Sequence, residues 1–249
     1  MNAVAAEWIK LRTLRSTWWS LGVGVLTALV LTALGASTVI SRWDPGQTGE
    51  QAAMGIVAAV YVGVVLAQLP LGMLGTMSIS GEYTSGMIHT TFVATPSRSR
   101  VLLAKASVLG GIAIAASLLI AIPGYLYGHT VAAEFDPTLP PAGAWAVIGG
   151  GTLMIVTTTM LGLALGAIFR NGVVAISVLV VLMVLVPFAG RMLPGGEVVN
   201  RILPGYPGLQ LIEQLPDIMP NATAFAVLGA WVVVPLLIAV LANRRVSFM

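Results

Sequence analysis

Apolar and polar positions along this chain separate into long blocks and do not alternate. Six apolar runs stand out, at roughly Trp18–Ile40, Ala52–Ile79, Val101–Tyr127, Ala142–Phe169, Gly172–Ala189 and Ala222–Ala242. A helix needs about 20 apolar residues to cross the hydrocarbon core, and the runs have that scale. Strands of a membrane barrel would alternate over about 10 residues. The pattern therefore predicts an all-α membrane protein with six transmembrane helices in one transmembrane domain spanning 1–249. The one charge inside the runs is Lys105, close enough to an end for its ammonium to snorkel. Lys10, Arg12 and Arg15 before the first run, and the small residues Ala33–Ala36, loosely resemble a cleaved leader. The run exceeds the about 7–15 apolar residues of a leader core, however, which predicts a retained span.

The polar intervals carry their own elements. Residues 2–16, NAVAAEWIKLRTLRS, predict a short helix ahead of the first span. Val4, Trp8 and Leu11 share one face, Arg15 interrupts it, and Trp18 and Trp19 follow at an aromatic-belt position. An interfacial elbow helix over 1–16 and a plain basic flank both fit. Residues 81–100, GEYTSGMIHTTFVATPSRSR, begin with a proline-free stretch that predicts a helix over 82–92, with Glu82 in the first turn, where negative charge suits the helix dipole. Thr95 and Pro96 then read as N-cap and first helical position. Arg98 and Arg100 fall at headgroup level, where setting topology and contacting phosphate are sufficient roles. Residues 190–221 hold five prolines and predict an outer loop with a short amphipathic or re-entrant helix over Leu209–Leu215. A gate and a surface loop both remain open for it.

Within the spans, Gly162 and Gly166 form a GxxxG, with Gly149, Gly150 and Gly151 earlier in the same segment; close helix packing inside one subunit is the expectation. Pro70, Pro123, Pro187 and Pro235 are candidate kinks. Gln68, Thr157, Thr158 and Thr159 are uncharged polar groups that either bond across helices or line a substrate path.

Composition sharpens this picture. The chain is 57% hydrophobic and 8% charged, with a mean hydropathy of +0.96, against about 25% charged in soluble domains. It has no cysteine, which excludes disulfides and thiolate metal sites. A pI near 9.6 does not point to nucleic acid, because the charge is sorted by membrane side. With six spans, Lys10, Arg12, Arg15, Arg98, Arg100, Lys105, Arg170, Arg244 and Arg245 share one side and Arg42, Arg191 and Arg201 the other. The positive-inside rule then places both termini in the cytoplasm. His89 and His129 fall on opposite sides, no pair of carboxylates is expected to be buried together, and neither HExxH nor GxSxG occurs. The chain reads as no enzyme. No ionisable residue lies mid-span, which argues against proton- or sodium-coupled transport. Nor is there a GxxxxGK[ST] phosphate loop, so energy for uphill transport comes from another polypeptide.

The pattern Glu82-Tyr83-x-x-Gly86-Met87-Ile88-x-Thr90-Thr91, then Pro96-x-Arg98-x-Arg100-Val101-Leu102-x-x-Lys105, resembles the first cytoplasmic loop of type-2 ATP-binding-cassette (ABC) exporter permeases. GluTrpIleLysLeuArg at 7–12 and ArgSerThrTrpTrp at 15–19 look like the start of actinobacterial members. Met87 and His89 stand where many relatives carry Thr and a basic residue. The resemblance implies a coupling helix over 82–92, with contacts from Glu82, Tyr83, Gly86, Ile88, His89 and Phe92, docking in a groove of a separate ATPase. Ile88 and Phe92 would share the buried face, and Glu82 would pair with Lys10, Arg12 or Arg15. It further implies two permeases (a second copy or a paralogue) and two cytoplasmic ATPase subunits that hold the ATP and Mg, with no cofactor in this chain. The setting is lipid, in a bacterial plasma membrane, and the cargo an amphipathic or hydrophobic drug, antibiotic, peptide or lipid. A non-transporting immunity or sensor subunit and an intramembrane lipid-modifying enzyme are the rival readings.

Overall fold

The computed structural model describes residues 3–42, 49–88, 98–135, 144–213 and 219–244, and every element among them is helical. In chain order these are α1 (Ala3–Thr13), α2 (Arg15–Ser41), α3 (Gly49–Thr84), α4 (Arg98–Phe135), α5 (Ala144–Phe169), α6 (Gly172–Val180), a π-helical turn (Val181–Leu185), α7 (Val186–Met192), α8 (Gly196–Ile202), α9 (Gly205–Glu213) and α10 (Asn221–Arg244). Among the described residues, six stretches are long and apolar enough to cross a membrane: Arg15–Val39, Val57–Thr84, Ser99–Val131, Ala144–Phe169, Gly172–Met192 and Asn221–Ala242.

The fourth span, α5, is the axis of the bundle. Most of it is buried, against small fractions of the first, fifth and sixth spans, and it packs on α3, α4, α6, α9 and α10. Small residues allow this. A Cβ on Gly162 would run into the Gly72 carbonyl, and one on Gly75 into the Thr159 carbonyl. Thr76 Oγ1 lies 3.1 Å from both the Gly72 and the Gly162 carbonyl oxygens, so its hydroxyl proton bridges the two helices. The GxxxG thus serves packing inside the subunit, where lipid supplies no hydrophobic drive and close backbone approach must. One core cluster surrounds Val64, Leu71, Ile120 and Ile155. A second, around Leu109 and Leu163, takes in Leu11 of α1.

Three local features differ from expectation. First, α3 does not stop near Ile79 but continues to Thr84, so Glu82 and Tyr83 close the second span and do not open a new helix. Gly86 ends it: its φ of 71° is the left-handed conformation that terminates helices, with Ser85 N donating to Gly81 O and Gly86 N to Tyr83 O. A helical stretch resumes at Met87–Ile88; residues 89–97, with His89, Phe92, Thr95 and Pro96, lie outside the described residues. Second, the inward face of α1 is Glu7 and Leu11, while Val4 and Trp8 face out. Third, the fifth span is broken by the π turn, where Val186 N reaches back to Val181 O. Pro187 follows at once. Proline has no N–H and crowds the carbonyl four residues earlier, and a widened turn relieves both. Beyond it residues 190–213 are largely helical, with the amphipathic helix at Gly205–Glu213, starting before Leu209; Leu215 lies outside the described residues.

Candidate functional site

Four charged side chains from three elements meet beside the end of α3. Glu7 and Lys10 come from α1, one turn apart. Glu82 comes from the last turn of α3, and Lys105 from the second turn of α4. Lys10 Nζ lies 2.8 Å from Glu7 Oε1 and 3.0 Å from Glu82 Oε1. Lys105 Nζ lies 2.5 Å from Glu7 Oε2 and 3.0 Å from Glu82 Oε1. Lys105 is 1% exposed, and Glu7 and Glu82 are buried.

The cluster follows from its parts. Glu82 sits where a helix C-terminus disfavours negative charge, so it needs cations, and Lys10 and Lys105 supply them. Lys105 cannot remain charged and dry without carboxylates, and receives two. The set sums to zero charge, and three of its four carboxylate oxygens are held by ammonium groups; Glu82 Oε2 has no hydrogen-bond partner. Burial raises the affinity of Glu7 for a proton, but the Lys105 charge and the bonds from Lys10 and Lys105 outweigh it and hold the carboxyl below its ordinary range. Burial likewise opposes charge on Lys10, and its bonds to Glu7 and Glu82 reverse this, holding the ammonium above its usual value. The arrangement is an ionic joint that locks α1, α3 and α4 together.

Lys10 therefore pairs with Glu82, whereas Arg12 and Arg15 are exposed and form no ion pair among the described residues. The expectation that no two carboxylates are buried together is overturned by Glu7 and Glu82. Lys105 does not snorkel. Sequence reasoning left Glu7 and Lys105 out of the site, although Glu7 and Lys10 at i,i+3 and a lysine inside an apolar run were visible signals. Ile88 is only 4% exposed, so it packs within this chain and is no free docking side chain, while Met87 is exposed. Tyr83 reaches the other short loop at this end: the Arg170 guanidinium lies over its ring, 5.6 Å from the centroid. Arg170 has φ 53°, and Asn171 caps α6 by accepting from Val173 N and Val174 N at 3.0 and 3.2 Å. Arg100 is exposed; the side chain of Arg98 lies outside the described residues.

Of the polar residues expected along a path, Thr158 Oγ1 donates to Gln68 Oε1 at 2.6 Å, which is bonding across helices. Gln68 also lines a cavity of about 270 Å³ at the opposite end of the bundle. Thr157 is fully buried and is not on that wall. Arg191 and Asn200 are on it, and no motif singled them out.

A family model described as "ABC-2 family transporter protein" matches residues 3–186, from α1 through the π turn. No curated protein matches the chain.

Proposed function

Since the chain belongs to the ABC-2 family of transporter proteins, and is thus a multi-pass membrane permease component, we propose that it exports an amphipathic or hydrophobic molecule, driven by ATP hydrolysis in a separate ATPase. Both termini and the ionic joint face the cytoplasm on this reading, as the sorted basic residues favour. Two permeases and two ATPases form the working unit. ATP and Mg belong to the ATPase.

The observation that carries the reading is the joint itself. It ties the elbow helix to both ends of the first internal loop, Glu82 before it and Lys105 after it. A force on that loop then moves the first three spans together and is not dissipated in a hinge. The docking surface is the stretch beyond the Gly86 turn, beginning with exposed Met87, while Glu82 transmits from within the span. The apolar spans, with no unpaired charge at mid-depth, suit a hydrophobic cargo.

The test is co-purification with the candidate ATPase, comparing wild type with Met87→Asp and Lys105→Met. The expectation is ATPase bound to wild type, released from Met87→Asp, and retained by Lys105→Met with ATP turnover no longer linked to substrate movement in proteoliposomes. If no ATPase binds wild type, the reading fails. Binding without vectorial movement would leave a sensor or immunity subunit.

A further inference from the structure

At the end of the bundle away from the joint, α8 and α9 form a hairpin that turns at Leu203 and Pro204. The spans it touches fix its depth. Ile202 O accepts a hydrogen bond from Trp231 Nε1 at 2.7 Å, and Trp231 lies ten residues into α10, about 15 Å along its axis. The indole leans back toward the start of α10, so the turn lies nearer the surface than Trp231 yet inside the span. Gly208 packs so closely on Met154 that a Cβ there would collide with it, and Met154 lies ten residues into α5. Gly150, one turn earlier in α5, meets Leu211 and Ile212, so α9 climbs α5 from that depth back toward the surface.

The turn suits that depth. Irregular backbone inside a bilayer survives only where protein surrounds it. Besides the indole on Ile202 O, the Tyr61 hydroxyl of α3 donates to Gly205 O at 3.4 Å, Leu203 N donates to Asn200 O, and Gly208 N to Pro204 O. Pro204 and Pro207 have no N–H that would need a partner, and Leu203 and Pro204 are buried. A loop in water needs no donors from two spans. The faces of α8 are the second observation. Gly196, Asn200 and, just past its end, Leu203 are buried, while Val198, Val199 and Ile202 are exposed, as are Glu197 and Arg201. At 3.6 residues per turn these three sets stand about 120° apart. A helix between core and water has a buried face and a polar one; this one has an exposed apolar face as well. It packs on α7, whose Phe188 and Met192 are exposed too.

We infer that this hairpin re-enters the bilayer, its turn clamped by Trp231 and Tyr61, and that acyl chains of the adjoining leaflet cover the Val198, Val199 and Ile202 face of α8. The charged side, Glu197 and Arg201, turns to headgroups and water, and the third side to the bundle. Acyl chains fit because the apolar face lies at the depth of the spans and beside the exposed apolar surface of the fifth. The inference needs only that the spans cross a membrane; it is independent of what the chain transports.

The test uses the full chain in phosphatidylcholine nanodiscs. The chain has no cysteine, so a nitroxide can be placed singly through Glu197→Cys, Val198→Cys, Val199→Cys and Ile202→Cys. Collision with oxygen, which concentrates in hydrocarbon, is compared with collision with a water-soluble nickel chelate. Leu119→Cys, exposed within the third span, gives the lipid reference, and Ser85→Cys, exposed beyond the second, the water reference. The oxygen-to-nickel ratio should rise from Glu197, close to the water reference, through Val198 and Val199 to Ile202, close to the lipid reference. A label at Ile202 as open to nickel as that at Ser85 would make the segment a surface loop. Shielding of Val198, Val199 and Ile202 from both reagents would put protein, such as a second copy, on that face. Either result overturns the inference. Trp231→Phe keeps an aromatic body and removes the N–H, so it should raise nickel access at Ile202 several-fold, while Trp145→Phe, at an exposed position, should not. Unchanged access in Trp231→Phe would overturn the clamp. Should Trp231→Phe fail to fold, the label series in the otherwise unaltered chain decides the placement.

Discussion

Lys105 and Lys10 carry the same charge and touch the same two carboxylates, yet they should not be equivalent. Lys105 is 1% exposed, while the Lys10 side chain keeps 28% of its surface. Replacing one partner of a buried pair costs roughly 3–5 kcal/mol, because the remaining charges are left uncompensated. Lys105→Met should approach that loss in chemical unfolding of the purified protein, and Lys10→Met, partly screened by solvent, should lose clearly less. A double-mutant cycle of Glu7→Gln with Lys105→Met should show coupling, since the two are in direct contact. The joint also has a pH signature. Glu7 is held below its ordinary value, so its contribution is complete above the usual carboxylate range and is lost only as pH falls through the lowered value. Lys10 is held above its ordinary value, so its contribution is complete below the usual lysine range and is lost as pH rises through the raised value. Hydrogen exchange of residues 3–13 should therefore be protected evenly across neutral pH, after allowing for intrinsic rates, and should accelerate only at the acid and alkaline extremes.

Among the elements, α3 and α5 approach closely, and glycine decides it. Gly162→Val places a methyl-bearing Cβ against the Gly72 carbonyl. Overpacking of this kind costs about 1–3 kcal/mol, and here the obstacle is backbone, which cannot rotate away. The expected outcome is a lower unfolding temperature in detergent, whereas Gly149→Ala, with open space around its Cβ, should be nearly silent. The short link between α5 and α6 depends on one side chain. Asn171→Ala removes the acceptor for two free backbone N–H groups and should cost about 1 kcal/mol, with Asn171→Asp or Asn171→Ser largely restoring it.

Across the whole molecule, the two ends differ in character. One gathers the ionic joint, Tyr83 with Arg170, and the start of α4; the other carries α8, α9 and the cavity. Because the native chain has no cysteine, single cysteines report on sidedness without background. Ser85→Cys and Glu197→Cys are both at exposed positions. In intact cells a membrane-impermeant maleimide should label Glu197→Cys at once and Ser85→Cys only after lysis. The reverse pattern would invert the orientation and remove the cytoplasmic docking surface. The apolar outer faces of the first, fifth and sixth spans are consistent with lipid around most of the perimeter.

Much of this was legible in the chain. Continuous apolar runs dictate spanning helices, because in hydrocarbon every backbone polar group must be satisfied within its own segment. Their length, their number and the need for close packing at Gly162 and Gly166 follow from local composition. The sorting of basic residues, likewise a property of the linear order, sets the expected topology. What only tertiary structure decided depends on groups distant in sequence. Glu82 looked like the start of a helix because its neighbours lack proline; the left-handed turn at Gly86 makes it the end of one. Glu7 and Lys105, 98 positions apart, are each an anomaly alone and become a neutral set only when α1 lies across α3 and α4. The same holds for Tyr61 and Trp231, which meet the carbonyls of Gly205 and Ile202 and which no periodicity marks. Hydrophobic pattern specifies which faces are hidden from water, but the compensation of a buried charge or acceptor depends on three-dimensional distance, which the linear order does not contain.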